Sequence, residues 1–166
     1  MKFATIKPDD LAIVHNDTLI PISGVLPKGS TMLDLIAQYD QIKGALADLA
    51  AKGGGVKLDA KLLKAPVERP SKIYAAAGNY KRGTGGLDAA RGRGSASTIS
   101  PEELLENIFL KPPSAIAGPE DNIIIPKGAE SIFPELELCV VIGKKVRHLS
   151  KAQAMDAVFG YTIMQD

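Results

Sequence analysis

The chain has 166 residues, with Lys+Arg 20 against Asp+Glu 19 for a net charge of +1, and 45% of it is hydrophobic. So even a balance excludes a global field that would hold nucleic acid or an anionic membrane, and the length suits one domain with a core, or one domain plus part of another. The single Cys139 excludes an internal disulfide and a multi-cysteine zinc site, and no apolar run is long enough for a signal peptide or a membrane span, so a soluble, cytoplasmic protein is expected.

In chain order, KFATI and LAIVHNDTLIPI predict short strands, the second pair joined by a polar turn at His15-Asn16-Asp17. Met32, Leu35, Ile36, Tyr39, Ile42, Leu46 and Leu49 recur at helical spacing, with Ser30 or Thr31 as cap, Asp34 in the first turn and Gly53-Gly54-Gly55 as the stop. Pro66 and Pro70 break the segment that follows, and a domain boundary is expected near Pro70, dividing the chain into 1–70 and 71–166. KIYAAAG predicts a buried strand. Asn79 to Ser100 is a glycine-rich, basic loop, and SPEELLENIF a short helix with Ser100 as N-cap and Glu103 completing a capping box. LKPPSAIAGPED predicts a proline-shaped turn, NIIIP a buried strand, KAQAMDAV a helix capped by Ser150, and GYTIMQD a final strand.

The stretch SIFPELELCVVIGKK carries an apolar strand with two carboxylates, Glu135 and Glu137, one residue apart. Strand alternation places Glu135, Glu137, Cys139 and Val141 on one face, and Leu136, Leu138, Val140 and Ile142 on the other, which is expected to be a core face. Two carboxylates roughly 7 Å apart along a strand repel unless water or a cation intervenes. The pair reads either as the solvated end of a strand or as two oxygen ligands for a hard divalent cation, which would need a third.

Three runs in this order, KAPVERPSKIYAAAGNYK, IFLKPPSAIAGPEDNIIIP and FPELELCVVIGKKVRHLSKAQAMDAVFGYTIMQD, resemble the fumarylacetoacetate hydrolase family. The resemblance is dense over residues 64–166 and looser in the N-terminal segment. It implies an α+β fold: a small N-terminal β/α unit, then part of a mixed β-sandwich roll holding the active site. It implies a divalent cation, Mg²⁺ or alternatively Mn²⁺ or Ca²⁺, on Glu135, Glu137 and Asp166. It further implies a 2-oxo acid or β-dicarbonyl substrate, undergoing C–C bond hydrolysis, decarboxylation or enol–keto isomerisation in the catabolism of aromatic or related compounds. The intact family member is expected to be a homodimer, without nucleic-acid or membrane partners.

The chain departs from the family pattern in two places. Where many members carry a histidine and, three residues on, a glutamate after the GxNY motif, this sequence has Gly83 and Gly86, so the water-activating base is missing and the catalytic residue is unassigned. The family's domain also continues past the aspartate, so a truncated chain or a fragment, impaired in activity, is expected. Lys111 is a candidate for a substrate carboxylate, or else a solvated side chain beside a rigid turn; Ser114 is a candidate donor to a substrate oxygen, or a turn residue. His15 and His148 read as surface residues, and Cys139 as a small buried hydrophobe. Two alternatives to the enzyme are a non-catalytic remnant and an anion- or RNA-binding module built on the Gly/Arg loop 79–97, with Lys81, Arg82, Arg91 and Arg93; otherwise that loop reads as a lid.

Overall fold

The computed structural model describes residues 1–77, 100–130, 132 and 134–166. The chain divides into two compact units, Met1–Glu68 with Ala117–Asp166, and Arg69–Ile116. The fold is α+β, short antiparallel strands with one long helix among the described residues.

In the first unit, β1 (Lys2–Ile6), β2 (Asp10–His15), β3 (Thr18–Pro21) and β4 (Val56–Lys57) form one antiparallel sheet in that order. The β2–β3 connection is a two-residue turn. Asn16 and Asp17 both take positive φ, 46° and 58°, which matches the twist of a tight hairpin and suits the short side chains that tolerate the left-handed region. The helix α1 (Met32–Lys52) starts at Thr31, whose hydroxyl accepts from the Asp34 N–H at 3.4 Å while the Asp34 carboxylate accepts from the Thr31 N–H at 2.7 Å. This capping box settles the cap on Thr31 rather than Ser30. The Thr31 backbone N–H, and after it the Thr31 hydroxyl, hold the Asp34 carboxyl below its ordinary range. The stabilisation it brings is therefore present at neutral pH and is lost as pH falls through that lowered pKa.

Alternation along β2 divides the core. Leu11 and Ile13 face α1 and pack with Ile20, Leu35 and Leu46, whereas Ala12 lies on the opposite side with Ala4, Ile6 and Leu19 beneath Leu58, Leu62 and Leu63. Lys64 ties the ends of this unit's first part together, with Nζ 2.6 Å from Asp9 and 2.7 Å from Glu68. Gly55 enters the edge strand at φ +93°, and a Cβ there would overlap the Leu19 carbonyl oxygen and lie 2.9 Å from its carbon. Gly55→Ala should therefore cost at least the ~1–3 kcal/mol of a strained backbone position. Gly54→Ala, at φ +96° but with open space around it, should show the φ strain alone. Thermal melts of the two variants check this, with the larger fall in Tm expected at Gly55.

The first unit also contains a two-stranded antiparallel ribbon, β7 (Leu136–Ile142) with β8 (Val158–Gln165). Phe159 joins it to the N-terminal sheet and helix: its ring lies 6.2 Å from Phe3 and 5.3 Å from Tyr39, which are themselves 6.0 Å apart. Gly143 permits this approach, since a Cβ at that position would stand 2.8 Å from the Phe159 Cβ. The second unit holds β5 (Ile73–Ala76) paired antiparallel with β6 (Ile108–Lys111), and a short helix α2 (Pro101–Glu106) between them in sequence.

Several expectations are corrected here. The β7 face of Leu136, Leu138, Val140 and Ile142 is not a core face: these side chains are 74%, 57%, 45% and 57% exposed, while Glu137, Cys139 and Val141 are half-buried. A ribbon of two strands buries only the side that meets another layer, and here that is the carboxylate side. Residues 123–125 form no strand among the described elements, and Ile123, Ile124 and Ile125 are exposed, because an apolar run becomes a buried strand only when a neighbour pairs with it. KIYAAAG does form a strand, but its Tyr74 is exposed. IFLK is a strand rather than the end of a helix and the start of a turn. KAQAMDAV folds as turns and a short 3-10 helix, Ala154–Ala157, with Ala157 its one buried side chain, so too little apolar surface is covered to hold an α-helix. The side chain of Glu103 and the loop 78–99 lie outside the described residues.

Candidate metal centre

The register of the β7–β8 ribbon decides where the candidate carboxylates fall. Leu136 is opposite Gln165 and Glu137 opposite Met164. One step further out, the Glu135 N–H donates to the Asp166 carbonyl at 3.2 Å and the Asp166 N–H donates to the Glu135 carbonyl at 2.7 Å. Glu135 and Asp166 are thus a directly opposed, hydrogen-bonded pair, with α-carbons about 5.5 Å apart. Opposed residues share a face of the sheet, so Glu135, Glu137 and Asp166 stand on one face at one end of the ribbon. All three are half-buried.

Further along this face come Cys139 opposite Thr162, then Val141 opposite Gly160. The face therefore runs from carboxylates, through a thiol and a hydroxyl, to apolar contacts near the Phe159 cluster. Burial pushes the Cys139 thiol above its ordinary range. Its thiolate is scarce at neutral pH, and its alkylation should be slower than that of a free cysteine, accelerating only above the usual thiol range. Iodoacetamide kinetics against pH on the native chain measure this. A rate profile like that of a free cysteine would mean that the ribbon opens in solution.

Three carboxylates on a half-buried face supply the donor chemistry of a hard cation. Among the described residues, no three His, Cys, Asp or Glu side chains are gathered closely enough to hold a metal ion. The backbone thus places the three acidic residues together at one end of the ribbon.

The remaining candidates lie elsewhere. Lys111 ends β6, directly opposite Ile73, and its Nζ is 6.0 Å from the centre of the Phe109 ring. Ser114 sits in the 3-10 turn Pro113–Ala115, exposed. Both belong to the second unit. His15 is exposed at the end of β2, its Nε2 3.1 Å from the Asn16 side-chain amide, and His148 is exposed at φ 55° in the connection between β7 and β8. Gly83, Gly86 and the basic loop 79–97 lie outside the described residues. The Thr162 hydroxyl, beside Cys139 on the carboxylate face, is a polar group that the E-x-E motif did not point to. Its four-residue spacing from Asp166 within one strand was the available signal.

Comparison with known proteins places these features among relatives. The family described as Fumarylacetoacetate (FAA) hydrolase C-terminal matches residues 72–166. An uncharacterised protein of Pyrococcus horikoshii is 42% identical over 98 residues, which is 59% of this chain and 38% of that protein. A mitochondrial oxaloacetate tautomerase of Bos taurus is 38% identical over 102 residues, 61% of this chain and 29% of that protein. Among solved structures, maleylpyruvate hydrolase from Sphingobium sp. SYK-6, in complex with manganese (II) ion and pyruvate, superposes with a TM-score of 0.76 at 26% identity, over 100% of this chain and 58% of that one. The chain thus matches well under half the length of these sequence relatives.

Proposed function

Because the chain belongs to the fumarylacetoacetate hydrolase family, we propose that it carries that family's divalent-cation site on Glu135, Glu137 and Asp166 and acts on a small 2-oxo acid or β-dicarbonyl compound. The observation that carries this reading is the strand register, which sets Asp166 opposite Glu135 on the face that Glu137 shares. The manganese and pyruvate in the Sphingobium hydrolase support it, as does the action of the bovine relative on oxaloacetate. Mg²⁺ is the ion we assign, with Mn²⁺ and Ca²⁺ as oxygen-seeking substitutes.

A bound divalent ion would polarise the vicinal oxo and carboxylate oxygens of such a substrate and favour negative charge developing there. The chain's own residues contribute the rest. Glu135 and Asp166, fixed by their reciprocal backbone hydrogen bonds, and Glu137, two residues along the strand, supply acidic oxygens from two adjacent strands rather than from a loop. Lys111 and Ser114 are proposed to meet the substrate's carboxylate and oxo oxygens. The division into an N-terminal domain, 1–70, and a catalytic portion, 71–166, belongs to the same reading and is supported by the family match beginning at residue 72. No helix among the described residues is long and apolar enough to cross a membrane. A cytoplasmic location and a homodimer of the intact protein are part of the proposal.

Mn²⁺ titration followed by its electron-spin resonance signal tests the site directly. One bound ion per native chain is expected, weakened strongly by Glu137→Gln and by Asp166→Asn. Equal binding by the native chain and both variants would refute the assignment.

A further inference from the structure

The carboxylate face of the β7–β8 ribbon carries two half-buried polar side chains, Glu137 and Thr162, that satisfy nothing around them. Neither the Glu137 carboxylate nor the Thr162 hydroxyl makes a hydrogen bond or ion pair among the described residues. Each is partly withdrawn from water, so each gains by finding the other half of a hydrogen bond. The register makes them diagonal neighbours. Glu137 is opposite Met164, and Thr162 lies two residues before Met164 on the same face. At that diagonal the α-carbons stand roughly 7–8 Å apart and the β-carbons somewhat closer, within reach of a long side chain. The glutamate spans most of the gap, and the threonine hydroxyl, carried on its β-carbon, closes the rest.

The other neighbours of Thr162 on this face offer no comparable acceptor. Cys139, directly opposite, presents a thiol and Met164 a thioether, both weak acceptors, and Val141 and Gly160 have no polar side-chain atom. The carbonyls alongside are committed to the ladder. Reciprocal backbone bonds join Glu135 and Asp166, and the antiparallel pattern repeats them at every second pair, which includes Cys139 and Thr162.

We propose that Thr162 is a positioning residue for the ion site, its hydroxyl donating to one oxygen of the Glu137 carboxylate while the other oxygen faces the cation. The inference rests on assigning that cation to Glu135, Glu137 and Asp166. Glu135 and Asp166 lie at the outer end of the ribbon and Thr162 on the inner side of Glu137, so donor and ion approach the carboxylate from opposite directions. A donor there holds Glu137 in one orientation against the repulsion of the two other carboxylates. Carboxylates that bind metal are commonly held by hydrogen bonds of this kind. Branching at the threonine β-carbon restricts χ1, and so restricts where the hydroxyl points. Thr162 thus acts through Glu137 and touches neither ion nor substrate.

Mn²⁺ affinity, read from its electron-spin resonance signal, tests this in the native chain and its variants. Thr162→Val keeps the branching and removes the hydroxyl, and should weaken Mn²⁺ binding by about 10–100-fold. Thr162→Ser restores the donor and should bind within a few-fold of the native chain. Without metal, the Tm of Thr162→Val should equal or exceed the native value, since an unpartnered hydroxyl is exchanged for a methyl; a purely structural role would lower it. Thr162→Ala deletes the hydroxyl without adding that methyl and should weaken binding as Thr162→Val does. A double-mutant cycle identifies the acceptor. In a Glu137→Gln background Thr162→Val should lose most of its effect, and in an Asp166→Asn background it should keep it. Equal weakening by Thr162→Val and Thr162→Ser would assign the effect to packing, and full additivity with Glu137→Gln would give the hydroxyl another acceptor; either result overturns the proposal. Native affinity in both Thr162→Val and Thr162→Ala, with Glu137→Gln still weakened, overturns it and leaves the ion site standing. A native chain that binds no Mn²⁺, or binds it as well after Glu137→Gln, overturns both.

Discussion

Millimolar Mn²⁺ or Mg²⁺ is expected to raise the melting temperature of the native chain, and Glu137→Gln to abolish the rise. An ion that binds only the folded chain stabilises it by mass action, about 2.7 kcal/mol when its free concentration is a hundred times its dissociation constant. For a chain of this length that corresponds to a shift of about 5–10 °C. The carboxylates also repel one another while no cation is present. Glu137→Gln removes one charge from a face shared with Glu135 and Asp166, so without metal its Tm should equal or exceed that of the native chain. That sign separates a lost ligand from a damaged fold. Asp156→Asn, in the exposed turn before β8, should leave the metal-dependent rise intact. The two outcomes that would sink the reading are a native Tm that ignores metal and a Glu137→Gln variant that keeps the full rise.

The parts of this fold that were legible in the sequence are those set by neighbours along the chain. The polar turn at His15-Asn16-Asp17, a cap at Ser30 or Thr31 with Asp34 in the first turn, and the periodic stripe from Met32 to Leu49 each depend on residues within a few positions of one another. The structure places the turn and the stripe there and resolves the cap to Thr31, with the capping box as an addition. Strand parity likewise groups Glu135 with Glu137. Parity within two separate strands cannot show that they pair, nor in which register; the opposition of Glu135 and Asp166 arises from the ladder itself. The failures share one cause. Whether Leu136 and Val140, or Ile123 to Ile125, lie inside or outside depends on which layer covers them, and that is a property of distant chain. The run IFLK fits the end of a helix as well as the start of a turn, because four apolar or amphipathic residues suit either period, and only pairing with Ile73–Ala76 fixes them as strand. The 150s segment failed differently: Ser150 does form a local contact, its hydroxyl donating to the Gln153 side-chain oxygen at 2.8 Å, but the alanines beyond it have too little surface to bury.

On the proposed function, a full-length version of this protein, assayed in parallel with metal present, is expected to decarboxylate an oxaloacetate-like acid, or to interconvert its enol and ketone, faster than it hydrolyses an acylpyruvate. Hydrolysis of a C–C bond requires water to be deprotonated as it attacks, and a positioned base at that step commonly contributes a factor of about 10²–10⁴. The sequence has Gly83 and Gly86 where many relatives carry the histidine and glutamate of that step, and glycine accepts no proton. His15, at the end of β2, and His148, in the β7–β8 connection, are both exposed, and burial raises the pKa of the Cys139 thiol, so none of the three is placed as a base beside the carboxylates. Decarboxylation makes no such demand. The bond to the carboxylate breaks, its electron pair moves toward the neighbouring oxo group, carbon dioxide leaves, and solvent returns a proton to carbon. The requirement that remains is an ion to take up the developing charge, which is what Glu135, Glu137 and Asp166 are proposed to hold. Removing the ion with chelator should therefore suppress decarboxylation above the uncatalysed background, as should Glu137→Gln. Installing the absent pair as Gly83→His with Gly86→Glu should raise acylpyruvate hydrolysis relative to decarboxylation. An unmodified chain that hydrolyses acylpyruvate at the faster rate would show that another group, with Asp88 the nearest carboxylate in sequence to the two glycines, already serves as the base.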